Sequence, residues 1–563
     1  MKKFELTSRN KIIILLLGYF VVAEIMYFTF KNGSIWFGDD VYYQFQRIQG
    51  ISKSLQEGLY PSISTINFGK ISYAVNIFYP WATLLPFAVV SLFVHDPIST
   101  YYMALFFYFL VSLLISHYSM YQFSHSHLQA ILFTLIYNFS TYRLIDLLSR
   151  AALAEYIASI FLPLCFLGFY ETFFRDSSKW YLFAIGFSAI ILTHVLTTFM
   201  TLLIFIAFLV LNLWKIKPIK ERAVAVSKSI VITVLITSLY TGPFLIEEFF
   251  QKYPKADPQI LRGLKLSDFL QATLVSNANR AFDNGLYNPG LLVLVALILG
   301  LLCILKFDRL NKEIYLMGVV TFVISTNIIP WHFFQDTFLS VIQFPYRWLI
   351  FSTFFLAVSG SKVVMLFILR KSNYFSWSLV SILGIVMLVT WLGSFLTAIK
   401  GEMLSDPKQV ISQSMIQKNQ IPESLPNQYV YQPKETVKYL YSVLDHQIFI
   451  NRKVVRKTPK ADRGTNVINL DKLKKNEVIN LPMIRYRFSN VSVNGKTVHF
   501  WKSARGTIEF KIKQQSKNNR IVVSYGSRKL NISLLILTVF GWLFIVLDIF
   551  IQKRIRMIEE III

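Results

Sequence analysis

The chain has 563 residues, 54% hydrophobic and only 16% charged, with a mean hydropathy of +0.49. Soluble domains carry about a quarter charged residues, so a soluble enzyme, a disordered chain and a fibrous protein are excluded, and two Cys leave no disulfide framework or Cys-based zinc site. The class that remains is a polytopic membrane protein, in which the placement of the +26 net charge matters more than its sum, and no nucleic-acid partner is implied.

The basic N-terminus MKKFELTSRNK precedes an apolar run from Ile12 to Phe30 with no small-residue cleavage site. It reads as a retained first span with a cytoplasmic N-terminus. Further apolar runs lie near 100–120, 129–145, 156–174, 181–195, 197–214, 230–246, 289–306, 314–328, 348–368, 377–398 and 531–551. The run 76–94 is broken by Pro80 and Pro86, and reads as a re-entrant or interfacial helix on the outer side. With that run non-spanning, the clusters RDSSKW, KIKPIKER, KFDRLNKE and QKRIRM fall inside, as the positive-inside rule asks. The expected fold is therefore all-α and polytopic, with about twelve transmembrane helices and both termini cytoplasmic. Cys165 and Cys303 sit within apolar runs and read as lipid-buried small hydrophobes.

On this topology the outer side receives 31–75, a short stretch near 141–155, 247–288, and 399–530. The last is long enough to be a domain. It holds 25 Lys and Arg against 9 Asp and Glu. Alternating segments such as RYRFSNVSV, KTVHFW, TIEFKIK and RIVVSY, with Asn494-Gly495 as a hairpin turn, predict antiparallel β-structure. The chain thus divides into a transmembrane domain, 1–398, with outer loops 31–100 and 247–288, a basic extracytoplasmic β-rich domain, 399–530, and a final span with a cytoplasmic tail, 531–563.

Polar residues gather at the outer ends of the spans. Asp39 and Asp40 follow the first span closely, with Trp36, Tyr42 and Tyr43 as interface anchors, and VYYQFQRIQGISKSLQEG reads as a surface-lying amphipathic helix carrying Arg47. A carboxylate near low dielectric gains proton affinity useful to a general base, whereas an Asp at a helix start also serves as a cap. Arg143, Asp146, Arg150 and Glu155 sit where one run ends and the next begins. Arg150 and Glu155, five apart, are not an ideal helical ion pair, and Ala151, Ala152 and Ala154 leave room for another element to approach. His194 lies near a span end, Glu247 and Glu248 follow Pro243, and Gln343, Tyr346 and Arg347 open a span. An Arg among aromatics suits a phosphate clamp, although snorkelling anchors look the same in sequence. No phosphate-cradling Gly loop occurs, and nucleotide donors are absent outside the cell, so a transfer reaction at this face needs a donor presented by the membrane.

The order of these segments resembles the GT-C superfamily of integral membrane glycosyltransferases. Within it the chain is similar to the bacterial YfhO-like proteins, through FGDDVYYQFQR (37–47), SRAALAEY (149–156), LTH (192–194), GPFLIEE (242–248), QFPYR (343–347) and LPMIRYRFSNVSVNGK (481–496). The resemblance implies a GT-C-like fold and transfer of a sugar from an undecaprenyl-phosphate carrier to an anionic cell-envelope glycopolymer such as teichoic or lipoteichoic acid. By resemblance, Asp39 or Asp40 matches the position that activates the acceptor. Arg150, Glu155, His194, Gln343, Tyr346 and Arg347 are the expected donor-binding residues, with Arg47, Arg143 and Glu247 as further candidates. A divalent cation is left open. The rival expectation is a non-enzymatic transporter or scaffold for envelope lipid or polysaccharide, which would use the same Arg residues without a base.

Overall fold

The computed structural model describes residues 8–36, 38–254, 259–279, 287–368, 371–400, 410–418, 429–451 and 453–562. The chain forms two compact units, one from residues 1–41, 94–229 and 258–420, the other from 42–93, 230–257 and 421–563.

The first unit is helical. It contains α1 (Ser8–Phe30), the following segment to residue 41, α3 (Pro97–Ser124), α4 (His127–Asn138), α5 (Thr141–Leu147), α6 (Leu153–Phe174), α7 (Trp180–Ile191), α8 (Val195–Asn212), the start of α9 (Ile219–Phe250), α10 (Leu266–Leu274), α11 (Leu291–Cys303), α12 (Arg309–Ile324), α13 (Leu349–Ile368) and α14 (Asn373–Ile399). Local chemistry sets the boundaries. Asp96 accepts from Ser99 N at 2.8 Å and Pro97 opens α3, while His125 ends it in the left-handed region. Ser126 and Asp308 cap α4 and α12 in the same way. α6 and α7 pack at very short range, because a Cβ built on Gly168 would lie 2.2 Å from Phe183 N. A two-residue ladder joins β1 (Ser34–Ile35) to β2 (Ile411–Ser412).

Among the described residues, eight helices are long and apolar enough to cross a membrane: α1, α3, α6, α8, α9, α13, α14 and α15 (Arg528–Ile562). Their outward faces carry exposed aliphatic side chains such as Leu17, Val210 and Val546, as lipid-facing helices do and soluble ones do not. Four of the twelve apolar runs form shorter helices of 12 to 16 residues, α4, α7, α11 and α12. The run 129–145 is two helices, broken at Phe139 and Ser140. Cys165 and Cys303 are buried free thiols.

The second unit holds α2 (Val41–Gln56) from Tyr42 onward, the rest of α9, a β-rich region and α15. α2 is not the surface-lying helix the sequence suggests. Gln44, Gln46 and Arg47 are buried, and Tyr43 packs against Phe68 instead of anchoring at an interface. The 76–94 run is broken into pieces at 75–78, 82–84 and 85–90, none of spanning length. Ten strands form two antiparallel five-stranded sheets. In the first, β10 (Phe500–Lys502), β11 (Thr507–Lys511), β7 (Val478–Ile484), β3 (Gln447–Ile450) and β4 (Lys453–Arg456) are neighbours in that order. In the second the order is β5 (Lys460–Asp462), β6 (Thr465–Leu473), β12 (Ser516–Tyr525), β8 (Ser489–Val493) and β9 (Lys496–Thr497). Ile448, Leu481, Ile508, Phe510, Ile468, Val491 and Ile521, from both sheets, form one core. The Asn494-Gly495 turn is as expected: Val493 pairs with Lys496, and both turn residues have positive φ, 50° and 81°. Of the prolines opening the expected outer domain, Pro407, Pro422 and Pro426 lie outside the described residues.

Candidate functional site

In the first unit, the chain between α5 and α6 turns sharply through Ser149–Ala152, with Ala151 at φ 51°. This turn brings Arg150 back over its own flanking helices. Its Nη1 donates to Glu155 Oε2 at 3.0 Å and to Asp146 Oδ1. The ion pair that five-residue spacing disfavours on one helix therefore forms across a turn. Glu155 is the hub: Tyr142 Oη donates to its Oε1 at 2.9 Å, and Arg347 Nε lies 3.6 Å from its Oε2. Asp146, Arg150 and Glu155 are at most 5% exposed.

Arg347 is held by its own loop. Its Nη1 donates to Ile342 O at 3.1 Å and to Gln343 Oε1 at 3.0 Å. Gln343 adopts φ 64°, a conformation costly for a residue with a side chain. Two left-handed non-glycine residues, Ala151 and Gln343, thus flank the cluster. Tyr346 and Tyr287 stack with centroids 3.6 Å apart and planes 7° from parallel. The Arg150 guanidinium lies over both rings, 5.2 and 5.9 Å from their centroids.

The acidic pair reaches this cluster through backbone contact. Asp40 N donates to Arg150 O at 2.9 Å. Gly38 permits the approach, since a Cβ there would meet Ala151 Cβ and Leu148 O at 2.6 Å. The small residues noted at 151–154 are thus met by another element. Asp40 is half-buried and Asp39 is exposed. Burial pushes the Asp40 carboxyl up to about 6, with Arg150 holding back part of the rise. Burial, then the charge of Glu155, drives Asp146 well above the usual carboxylate range despite Arg150.

The remaining candidates are placed differently. His194 precedes α8, bonds Thr197 Oγ1 through Nδ1 at 2.8 Å, and lies within electrostatic range of Glu155. Arg143 turns to Ser112 Oγ at 2.9 Å and to the rings of Tyr137 and Tyr156. Arg47 and Glu247 belong to the second unit. Arg47 donates to Asn76, Gln44 and the carbonyls of Tyr79 and Pro80, so four of its five N–H donors are engaged, three of them with the segment after α2. Glu247 accepts from Gln251, Tyr253 and Arg487 N, which ties α9 to the residues after β7. Among the described residues no group of three or more His, Cys, Asp or Glu is placed to hold a metal ion.

Sequence reasoning missed Tyr287 and gave Tyr142 no role of its own. Tyr287 precedes the sequence Asn-Pro-Gly, and described residues near it in the chain make tertiary contacts. Asn288 Nδ2 donates to Asn277 O, and Ser149 Oγ donates to Ala278 O. The Tyr-Asn-Pro-Gly spacing is the one local signal that pointed there.

No protein-family model matches the chain, and no curated protein matches it. Among solved structures, it is similar to the crystal structure of ArnT from Cupriavidus metallidurans bound to undecaprenyl phosphate, at 12% identity over 65% of this chain and 62% of that one, with a TM-score of 0.39. It is also similar to the cryo-EM structure of the arabinofuranosyltransferase AftD from Mycobacteria, at 12% identity over 91% of this chain and 40% of that one, with a TM-score of 0.46. The chain thus spans less than two thirds of the length of either, and the chemistry of the site rests on its own residues.

Proposed function

We propose that the chain is a membrane glycosyltransferase that moves a sugar from a polyprenyl-phosphate carrier to an extracytoplasmic envelope glycopolymer, with inversion at the anomeric carbon. The observation that carries this reading is the half-buried Asp40, with its raised proton affinity, bonded through its backbone to Arg150, whose guanidinium shares the Glu155 carboxylate with Arg347. The resemblance of the segments around these residues to YfhO-like and GT-C sequences supports it.

In this reading Asp40 is the base, and exposed Asp39 stands outside the reaction. The Asp40 carboxylate removes the proton of an acceptor hydroxyl, and that oxygen forms a bond to the anomeric carbon. The bond from that carbon to the carrier phosphate breaks, and the phosphate departs with the electron pair. Arg150 and Arg347 stabilise the charge that develops on it. Glu155 orients both guanidiniums, Gln343 fixes Arg347, and the Tyr287–Tyr346 stack forms a wall suited to a sugar face or prenyl chain. His194 lies on the Glu155 side of the site. The excess of Lys and Arg in 399–530 suits capture of an anionic acceptor such as a teichoic acid. The twelve-span topology with both termini cytoplasmic is part of the same proposal, because it puts the site on the outer face.

The test is sugar transfer from a polyprenyl-phosphate donor in membranes, comparing the wild type with Asp40→Asn and Asp39→Asn at matched protein levels. Loss with Asp40→Asn alone is expected. Undiminished transfer by both variants and by the double variant would reject the enzyme and favour a transporter or scaffold.

A further inference from the structure

The first unit contains a cavity of about 250 Å³ far from the Arg150 cluster. α6 carries Glu155 near its start and Tyr170, which lines the cavity, near its end. Fifteen residues at 1.5 Å rise put about 22 Å between them. Much of the lining is aromatic, with Phe133, Phe166 and Phe354 among it. Ser119, Asn212, Lys215 and Glu313 supply polar lining, and Lys215 Nζ pairs with Glu313 Oε1 at 3.1 Å. Asn212 and Ser119 are each 3% exposed, and neither Asn212 Oδ1 nor Ser119 Oγ has a hydrogen-bond partner among the described residues.

The space is larger than the roughly 150 Å³ cavity that admits benzene. Water fits the chemistry poorly, since each ordered water needs two to four polar partners and the aromatic side chains offer none. Asn212 Oδ1 lacks a donor, and Lys215 and Arg309 share the single Glu313 carboxylate, which leaves one net positive charge to attract an anion. An occupant satisfying both the aromatic and the polar lining is an amphiphile with one apolar chain and a headgroup carrying hydroxyls and a phosphate. The medium supplies such molecules, because four of the wall-forming helices, α3, α6, α8 and α13, are candidate membrane spans.

We propose that this cavity binds one hydrocarbon chain of a hydroxyl-bearing anionic phosphoglyceride, with its headgroup at Asn212, Lys215 and Glu313. The site does not depend on glycosyl transfer, so each reading can fail alone.

The experiment uses the full chain in phosphatidylcholine nanodiscs, doped with phosphatidylglycerol carrying a mid-chain diazirine and mapped by peptide mass spectrometry after irradiation. Labelling of Tyr170, Phe208 or Phe354 is expected, with competition by unlabelled phosphatidylglycerol. Asn212→Leu and Lys215→Met should each lower that labelling about tenfold, the cost of one lost charge-assisted or buried hydrogen bond. Val358→Phe, which fills the cavity, should abolish it. If that variant fails to fold, Asn212→Leu decides the matter, read on protein that elutes as the wild type does. Labelling confined to lipid-facing positions such as Leu202 and Val210 would overturn the site. Equal labelling by a diazirine alkane lacking a headgroup, or unaltered labelling in both polar variants, would overturn the headgroup assignment.

Discussion

Replacing Asp40 with Asn keeps the side chain's size and removes its charge, and activity and stability should then move in opposite directions. Burial raises the carboxyl from 3.8 to about 6, roughly two pH units, and each unit is about 1.4 kcal/mol between the two protonation states. The upper limit is therefore about 3 kcal/mol of strain in the charged form. Because the side chain is partly open to water, about 1–2 kcal/mol is the expected size. The folded state holds this proton more tightly than the unfolded chain does. Its stabilisation is therefore fully present below the ordinary carboxylate value and is lost as pH rises through about 6. Asp40→Asn should raise Tm at pH 7.5, with the gain fading towards pH 4, while transfer falls on the order of 10²–10⁴-fold. Thermal unfolding in detergent across pH 4–8, beside a transfer assay on the same preparations, measures both. A variant that is less stable at pH 7.5 by an amount independent of pH would refute the reasoning, since that is the signature of a lost helix cap.

The same electrostatics separate Asp146 from Glu155. Burial and the charge of Glu155 raise the proton affinity of Asp146, so Asp146→Asn, which resembles the protonated form, should retain most transfer and stability. Glu155→Gln leaves two buried guanidiniums short of their shared carboxylate and should cost about 3–5 kcal/mol in thermal or denaturant unfolding. Arg347→Lys should lower transfer at least about tenfold, because Lys cannot keep both the Ile342 and Gln343 contacts and still present a planar fork; a normal kcat would remove Arg347 from phosphate binding. Gly38→Ala places a methyl 2.6 Å from Ala151 Cβ and Leu148 O, and should cut transfer by displacing Asp40 without touching a reacting group; proteolysis of the 38–41 segment reports the displacement independently.

How much of this was legible in the sequence depends on the range of the interaction. The Asn494-Gly495 hairpin could be read because a tight two-residue turn requires two positive φ angles, and Asn-Gly accepts both. The gathering of Asp39, Asp40, Arg150, Glu155 and Arg347 was suggested by their common position at span ends. The Arg150–Glu155 bond itself was not visible. Helical spacing argues against it, and the reversal at Ala151 that makes it possible depends on tertiary packing. Tyr287 lies more than 130 residues from Arg150 in the chain, so no local period could report its approach. Nor could α2 be placed correctly. Its Gln and Arg pattern looks like a wet face, yet those side chains are paid for by buried partners such as Asn76 and the Pro80 carbonyl. Hydropathy also could not tell one span from two short helices, as the break at Phe139 and Ser140 in the 129–145 run shows.

The charge arrangement of the cluster bears on why one base should sit among two guanidiniums. The Arg150 and Arg347 guanidiniums flank Glu155, which pairs with both, and burial beside Glu155 raises the proton affinity of Asp146. With Asp40 ionised and Asp146 protonated, the charges of these groups balance. When Asp40 takes the acceptor's proton, its negative charge disappears and the cluster gains one net positive charge. In the proposed reaction that gain coincides with the appearance of negative charge on the departing phosphate. The groups that stabilise the leaving phosphate are then strongest at the moment of bond breaking and weaker while the donor is merely bound, which is the differential stabilisation catalysis requires. An ionised Asp146 would cancel this surplus, and the burial that raises its proton affinity works against that, in favour of Arg150 and Arg347 acting on the phosphate.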